Sequence, residues 1–465
     1  MARSFRIITL GCKVNQFESA YIREAFLREG FNQAGGSEGA DITVVNTCIV
    51  TQRAAYQSRQ ALRKAVRENP LGVTAAVGCY GQVYPEDLER IEGLDFVAGN
   101  RGKSEVPGLL MNHAKEKGPV RLCEAFGEGA DFEVMPVAEF LDRTRAFLKI
   151  QEGCRSFCTY CIVPFARGPV RSLEPAGVLE ALGRFAEKGY REVVLTGIHL
   201  GKYGEDLGAG TGLKALLRLI AGKALPLRIR LSSLDPNEMD EELVELVASE
   251  PRLCRHFHVS LQSGDDGVLR RMNRPYGSRQ FARLVETIRE SMPLAAVGVD
   301  AMVGFPGEGD RAFANTFALL RDLPVTYLHV FPFSPRKGTV AAGFPDRVDQ
   351  RVIKDRARRL RQLGQVKRET FHRSCLGKAV SVLAEGRRRE GGRMIRGWSD
   401  NYLPLLFPFP RLLRNEVVSV LPVKIEKGRV IGRILSPFDP LPSREGTERS
   451  AASAKKPGTH PKGGD

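Results

Sequence analysis

Short apolar runs of strand type alternate, over residues 5–115, with stretches whose apolar positions recur at helical spacing. FRIITL precedes a helical stretch from Gln16 to Arg28, and DITVVNTC precedes QRAAYQSRQALRKAVREN. GVTAAVGC leads into PEDLERIEG, and DFVAGN leads into a last helical stretch near Glu105–Lys117. Buried strands alternating with amphipathic helices predict a small open α/β domain with a parallel sheet, residues 1–117. Residues 118–144, with GEGADFEV, read as a connector.

The alternation restarts at Arg145 with six strand signals: AFLKI, EVVLT, LRIRLS, HFHVSL, AVGVDAMVG and VTYLHVF. Helical stretches separate them, so six β/α units predict a partial barrel, two units short of a full one. This second domain spans 145–372 and ends in an arginine-rich helical extension, 346–372. Val348, Val352 and Leu360 give that extension only a thin apolar stripe. One face is therefore expected to pack, and the others to meet solvent or a polyanion. Short strand-like pieces punctuated by glycine over 373–436 predict a small β-barrel. Residues 437–465 are dominated by Pro, Ser, Gly, Lys and Ala with little to bury, and a disordered tail is expected.

Composition narrows the class. The chain has 465 residues, 42% apolar and 27% charged, enough core material for about three soluble domains. The N-terminal MARSFRIITLGC is far too short a run to span a membrane and lacks a signal-peptide cleavage pattern, so a cytoplasmic protein without a membrane partner is expected. Nine cysteines, an odd number on a long chain, do not make a disulfide framework. The net charge of +16 favours a polyanionic partner, with a merely solubilising basic surface as the alternative.

Cys12, Cys48 and Cys79 each close a predicted strand, in LGC, NTC and VGC. The carboxyl ends of parallel strands gather along one edge, where ligands usually bind, so three distant thiols are expected to meet in a metal site. A second set, Cys154, Cys158 and Cys161, is spaced C-x3-C-x2-C in QEGCRSFCTYCIVPFARG, with no fourth Cys or His in the following thirty residues. Three thiolates on a four-iron cube leave one iron open, whereas a zinc site needs a fourth ligand, here His199 or His258. Polar groups and glycines recur at barrel strand ends: Thr196, Gly197, Ser232, Ser233, Gln262, Ser263, Gly304 and Ser334. Such ends carry the active sites of β/α barrels. Arg274 and Asp300 are candidates to contact cofactor or substrate, with plain ion pairs as the alternative. Arg387, Arg388, Arg389, Arg393 and Arg396 form a candidate phosphate-binding cluster, with Trp398 and Tyr402 beside it as candidate base-stacking rings. For Trp398 alone, a place in the barrel core is the favoured reading.

The C-x3-C-x2-C spacing after the first barrel strand, with Tyr160 before its third cysteine, resembles the radical S-adenosylmethionine superfamily. GCKVNQFES, NTCIVTQRA, VGCYGQ, SLQSGDDGVLRRMNRPY, GFPGE and FSPRKGT extend the resemblance to its methylthiotransferases, over nearly all of residues 5–435. The GCKVNQ wording is similar to the branch acting on threonylcarbamoyladenosine in tRNA, and the last module resembles the RNA-binding TRAM barrel. Leu173 stands where family members commonly carry Arg, and Lys337 where Pro is frequent. The resemblance implies two [4Fe-4S] clusters, on Cys12/Cys48/Cys79 and on Cys154/Cys158/Cys161, with S-adenosylmethionine beside the latter. It implies methylthiolation of C2 of the modified adenine at tRNA position 37, two S-adenosylmethionine per turnover, contact with the anticodon stem-loop, and a reductant such as flavodoxin or ferredoxin. Tyr160, Thr196, Gly197, Ser232, Gln262, Arg274 and Asp300 are then expected around the cofactor. Isopentenyladenosine at the same position, or a ribosomal-protein aspartate, is the alternative target. A non-catalytic RNA-binding protein with structural zinc is the alternative of another class, and it would be colourless.

Overall fold

The computed structural model describes residues 3–35, 39–113, 118–127, 129–140, 143–388, 394–408 and 414–435. Six parallel strands open the chain: β1 (Ser4–Thr9), β2 (Asn32–Gln33), β3 (Ile42–Thr47), β4 (Val73–Gly78), β5 (Phe96–Ala98) and β6 (Val120–Leu122). They lie in the order β2-β1-β3-β4-β5-β6. Every residue of β3 and β4 is buried, which is why ITVVNT and VTAAVG read as continuous rather than alternating runs. Residues 120–122, expected in the connector, instead extend the sheet, with Val120 opposite Phe96 and Leu122 opposite Ala98. The Gln52–Glu68 helix starts where Thr51 accepts from the Ala54 N–H at 3.0 Å, and buries Ala55, Ser58, Leu62 and Ala65.

The second region carries β7 (Ala146–Lys149), the short antiparallel pair β8 (Gln151–Glu152) and β9 (Arg171–Ser172), then β10 (Glu192–Thr196), β11 (Arg228–Leu231), β12 (Ser233–Leu234), β13 (His256–Gln262), β14 (Ala296–Val303) and β15 (Tyr327–Pro332). Parallel sheets β11-β10-β7 and β12-β13-β14-β15 curve into an incomplete barrel. LRIRLS, read as one strand, breaks at Ser232 into β11 and β12 and so passes between the two sheets. The two barrel edges have different covers: the Lys13–Arg28 helix of the first region packs on β7, and the Gln350–Ser374 helix packs on β15. That second helix buries Ile353, Ala357, Leu360 and Gly364 on its packed side.

Five strands then close a small barrel in the order β16-β17-β18-β20-β19: β16 (Val380–Arg388), β17 (Met394–Ser399), β18 (Pro404–Pro408), β19 (Arg414–Glu426) and β20 (Arg429–Ile434). Its core is Val382, Ala384, Ile395, Leu405, Phe407, Val420 and Val430. Trp398, favoured for this core, is half-buried outside it, between the guanidinium groups of Arg145 and Arg396 at 5.4 and 5.3 Å. A lone tryptophan can pack equally well against cations at a domain boundary. Tyr402, a candidate base-stacking ring, already stacks on His256 at 4.3 Å and lies under Arg230 at 5.2 Å. The tail beyond 435 lies outside the described residues, and no described helix is long and apolar enough to cross a membrane.

A buried ion cluster fastens the small barrel to the amino ends of the central strands. Glu192 pairs with Arg228 at 2.6 Å and Arg230 at 2.8 Å. The same guanidinium groups donate to the carbonyls of Ser381, Trp398, Ser399 and Asp400. Burial alone raises the Glu192 carboxyl, but the two arginines outweigh it and hold it near about 2. Its folded value thus lies below the unfolded 4.5, so its stabilisation is complete above that pH and fades as pH falls toward 2. At about 1.4 kcal/mol per unit, the term is on the order of 3 kcal/mol. We expect Glu192→Ala, which strands two buried cations, to cost about 3–5 kcal/mol in urea unfolding at pH 7. The deficit should shrink when the unfolding is repeated toward pH 3.

Candidate functional site

Three cysteines converge at the carboxyl edge of the first sheet. Cys12 precedes the Lys13–Arg28 helix, Cys48 follows β3, and Cys79 opens the Cys79–Val83 helix after β4. Gly11 runs at φ +95°, and an added Cβ there would sit 2.9 Å from both Cβ and Sγ of Cys48, so the Cys12 and Cys48 loops touch. Asn15 ties them together, donating to the carbonyl of Leu10 at 2.7 Å and of Thr47 at 3.0 Å. Burial, then the neighbouring Cys79, pushes the Cys48 thiol up to about 12. Cys12 is the exposed member of the three, while Cys48 and Cys79 are buried.

The second triplet sits on the loop after β8. Gly153, at φ +76°, lies so close to Pro169 that a Cβ would fall 1.6 Å from its carbonyl oxygen. The loop can turn there only without a side chain. Cys154 donates its N–H to the Gly168 carbonyl, and the Cys161 N–H bonds the Cys158 carbonyl. The Arg274 guanidinium lies 3.6 Å from Cys158 Sγ and 2.7 Å from Asp235. His199 Nδ1 is 3.3 Å from Cys154 Sγ, and its other nitrogen faces Glu238 at 2.5 Å and Asp235 at 3.5 Å. Burial opposes the charge on that ring, but Cys154 and Glu238 win and raise it to about 10. The same contact brings the Cys154 thiol below its usual range despite burial. The imidazolium therefore favours thiolate at Cys154, whereas at Cys158 burial outweighs the Arg274 guanidinium and raises the thiol.

Ligand-type groups whose donor atoms all lie within 4.8 Å of one another are, among the described residues, His258/Asp300/His329 and His199/Asp235/Glu238. Neither thiol triplet is drawn that tight. One tetrahedral zinc, with sulfur at about 2.3 Å, would set its sulfurs only about 3.8 Å apart. His199 does approach Cys154, as the zinc alternative required, while His258 is committed to Asp300 at 2.8 Å. Thiols flanked by cations are the donor chemistry a thiolate-bound group takes, though neither triplet is drawn into a preformed cluster site among the described residues.

Of the other strand-end candidates, Thr196 is buried at the end of β10, and a Cβ on Gly197 would strike Gln151 Oε1. The Ser232 hydroxyl is buried without a partner among the described residues. Gln262 takes φ +67° where the β13–β14 register shifts. Tyr160 packs beside Phe305 and Met302, with Arg274, Cys158 and Cys161 near it. Asp300 is farther down the barrel, between His258 and His329 at 2.8 and 3.4 Å, and those two rings hold it near about 2 against burial. Arg396 is exposed and 3.6 Å from Glu385. Arg387 and Arg388 end β16, and Arg389 and Arg393 lie outside the described residues. Asp235 and Glu238 were missed, since the acids of LDPNE read locally as a capping box, which they also form.

Gly11→Ala tests the packing of the first triplet. The added methyl meets Cys48 in a backbone conformation that L-residues avoid. For chemically reconstituted protein carrying iron on both triplets, as the sequence resemblance implies, we expect Gly11→Ala to lose roughly half of that iron while the loop triplet still loads, as measured by iron assay and visible absorption.

Comparison with known proteins agrees with this architecture. Residues 148–320 match the family model described as the Radical SAM superfamily, and residues 4–99 match Uncharacterized protein family UPF0004. The chain is 36% identical over 414 residues to the threonylcarbamoyladenosine tRNA methylthiotransferase MtaB of Bacillus subtilis (strain 168), covering 89% of this chain and 92% of that protein. It is 38% identical over 377 residues to the protein of the same name from Aquifex aeolicus (strain VF5), covering 81% and 91%. It is 33% identical over 427 residues to the tRNA-2-methylthio-N(6)-dimethylallyladenosine synthase of Pelotomaculum thermopropionicum, covering 90% and 94%. Among solved structures, the radical S-adenosylmethionine methyltransferase TsrM of Kitasatospora setae, 17% identical, shares the fold at a TM-score of 0.52 over 71% of this chain and 75% of that one. With thiols at both strand-end edges and likeness along nearly its whole length, the chain belongs to the MtaB-like methylthiotransferases of the radical S-adenosylmethionine superfamily.

Proposed function

We propose that the chain methylthiolates C2 of N6-threonylcarbamoyladenosine at position 37 of tRNA, using two [4Fe-4S] clusters and S-adenosylmethionine. The observation that carries this reading is likeness to proteins named for that activity, 36% identical over 92% of the first relative's length. Attack on an unactivated aromatic C–H is beyond any side chain, and the bound cofactors supply the radical, the methyl group and the sulfur. Cys154, Cys158 and Cys161 would hold the cluster that faces S-adenosylmethionine, and Cys12, Cys48 and Cys79 the other.

The chain's own residues bind and orient. Ser232, its buried hydroxyl unpartnered, suits a polar group of the cofactor, and Tyr160, Thr196, Gly197, Gln262 and Arg274 surround the same strand ends. Asp300, held ionised between two histidines, suits a ribose or base donor lower in the barrel. Arg351, Lys354, Arg358, Arg361 and Arg368, exposed on the Gln350–Ser374 helix, suit phosphates of an anticodon stem-loop, as does exposed Arg396, with Arg387, Arg388, Arg389 and Arg393 as further phosphate contacts proposed from the sequence alone. A flavodoxin or ferredoxin would supply electrons, and the cytoplasm is the matching compartment.

Relatives named for dimethylallyladenosine favour a second reading. Lys13 argues for the first. It follows Cys12 directly, makes no ion pair with a described residue, and has Arg145, Arg230 and Asp300 as its charged neighbours. A threonylcarbamoyl group carries a carboxylate that an ammonium without an ion-pair partner attracts, whereas a dimethylallyl group has nothing for it to meet.

The test is mass spectrometry of nucleosides from tRNA incubated with anaerobically reconstituted protein, S-adenosylmethionine, sulfide and a reductant. We expect 2-methylthio-threonylcarbamoyladenosine, abolished by Cys154→Ala and by Cys48→Ala. Lys13→Gln should retain cleavage of S-adenosylmethionine while forming that product at least tenfold more slowly. Product on dimethylallyladenosine instead would overturn the substrate assignment.

A further inference from the structure

Beneath the first thiol set lies a second buried ion cluster that neither strand-end edge explains by itself. Lys103, Lys149, Arg167 and Arg171 meet Glu18 and Glu152, all six at 4% exposure or less. Lys103 and Arg167 grip Glu18, and Arg167, Lys149 and Arg171 surround Glu152 at 2.6, 3.1 and 3.6 Å. Four cations against two carboxylates leave two positive charges in the interior. Buried charge of one sign is costly unless an anion lies beside it. The nearest candidates are the thiols: Arg167 Nε donates to Cys79 Sγ at 3.3 Å, and Asn100 Nδ2 lies 3.5 Å from the same sulfur.

Arg167 spends every donor. Nη1 serves Glu18 and Glu152, Nη2 serves Asn15 at 2.6 Å and Glu18, and Nε serves Cys79. Asn15 is the residue that joins the Cys12 and Cys48 loops through Leu10 and Thr47. Yet Arg167 belongs to the other region. It ends the Val163–Arg167 helix that begins two residues after Cys161, and Asn100 caps the arrangement by donating to Ala166 O at 2.7 Å. One side chain from the loop of the second triplet thus touches, directly or through Asn15, the elements that bear all three thiols of the first.

We propose that Arg167 is a positioning residue of the Cys12/Cys48/Cys79 site and raises the reduction potential of the iron–sulfur group held there. This rests on the reading that those thiols bind such a group. One-electron reduction by a low-potential donor adds one negative charge to the group, and neither proton nor bond need move. An N–H aimed at a ligating sulfur, and a positive charge beside it, stabilise the reduced form more than the oxidised one. The potential therefore rises with Arg167 in place and falls without it.

The test uses the full chain with Cys154→Ala, Cys158→Ala and Cys161→Ala, so that only the N-terminal site can load. Iron and sulfide per chain are measured, followed by EPR-monitored redox titration with dithionite. Arg167→Lys keeps the charge but loses the planar fork. The pair Glu18→Gln with Arg167→Met removes one charge of each sign, and serves if the lysine variant does not fold. We expect either variant, once loaded, to show a midpoint shifted downward by at least a tenfold change in the reduction equilibrium, about 59 mV for one electron. An unchanged midpoint in loaded, folded variants overturns the inference and leaves Arg167 a structural ion pair. Absence of iron from the parent triple variant overturns instead the assignment of a cluster to Cys12/Cys48/Cys79, and the inference with it.

Discussion

A buried guanidinium must find an acceptor for every donor, and Arg167 meets that requirement only when two regions of the chain are docked in one register. Its acceptors Glu18 and Asn15 come from the first helix, Cys79 from the end of β4, and Glu152 from the short strand before the C-x3-C-x2-C loop. Sliding the regions apart would strand six charged side chains at once. Apolar packing alone, nearly indifferent to small slips, could not hold two thiol sets in fixed relation. Ion pairs with directional hydrogen bonds can, at some expense in stability, and this gives a physical reason for so much buried charge at an interface between two ordinary cores.

The small barrel is held by the same device at the opposite end of the central strands. Arg228 and Arg230 share Glu192 and donate to the carbonyls of Ser381 in β16, of Trp398 and Ser399 at the end of β17, and of Asp400 in the β17–β18 connection. Tyr402 comes from that connection and stacks over His256, which burial keeps well below its ordinary value and hence neutral. The amino ends of the barrel strands are thereby closed by the last module, and the carboxyl ends are left to the chemistry. A ring consumed in this closure is not free to stack on a base, so a basic surface carries the case for RNA contact better than an aromatic one.

Much of this was legible in the sequence, because local patterns carry local structure. Runs such as ITVVNT and VTAAVG can only be strands buried on both faces, and three of them ending in cysteine place the first thiol set before any contact is known. The spacing of Cys154, Cys158 and Cys161 survives as a compact loop because Gly153 permits the turn. What could not be read was non-local. Glu18 and Arg167 stand 149 residues apart, and in their own segments they look like solvated charges on a helix face. The break at Ser232 was equally hidden, since LRIRLS has an unbroken strand pattern and only the curvature of the sheets requires the hand-over. Trp398 failed for a related reason: burial of an aromatic ring is forecast by residue type, but its partner is set by tertiary structure.

The two thiol sets are therefore not independent sites that happen to share a chain. Both sit at carboxyl ends of parallel strands, and one five-residue helix runs between Cys161 of one set and the guanidinium that bonds Cys79 of the other. The path between them is short, and Arg167 is held at its far end by hydrogen bonds from all of its donors. Under the proposed function, radical chemistry and sulfur transfer would meet at one carbon, and such a reaction would need a fixed register between the two sets more than any one catalytic side chain. An error of an ångström between two cofactors costs orders of magnitude in rate. Burying charge at the domain boundary is how this sequence removes the freedom that would produce the error.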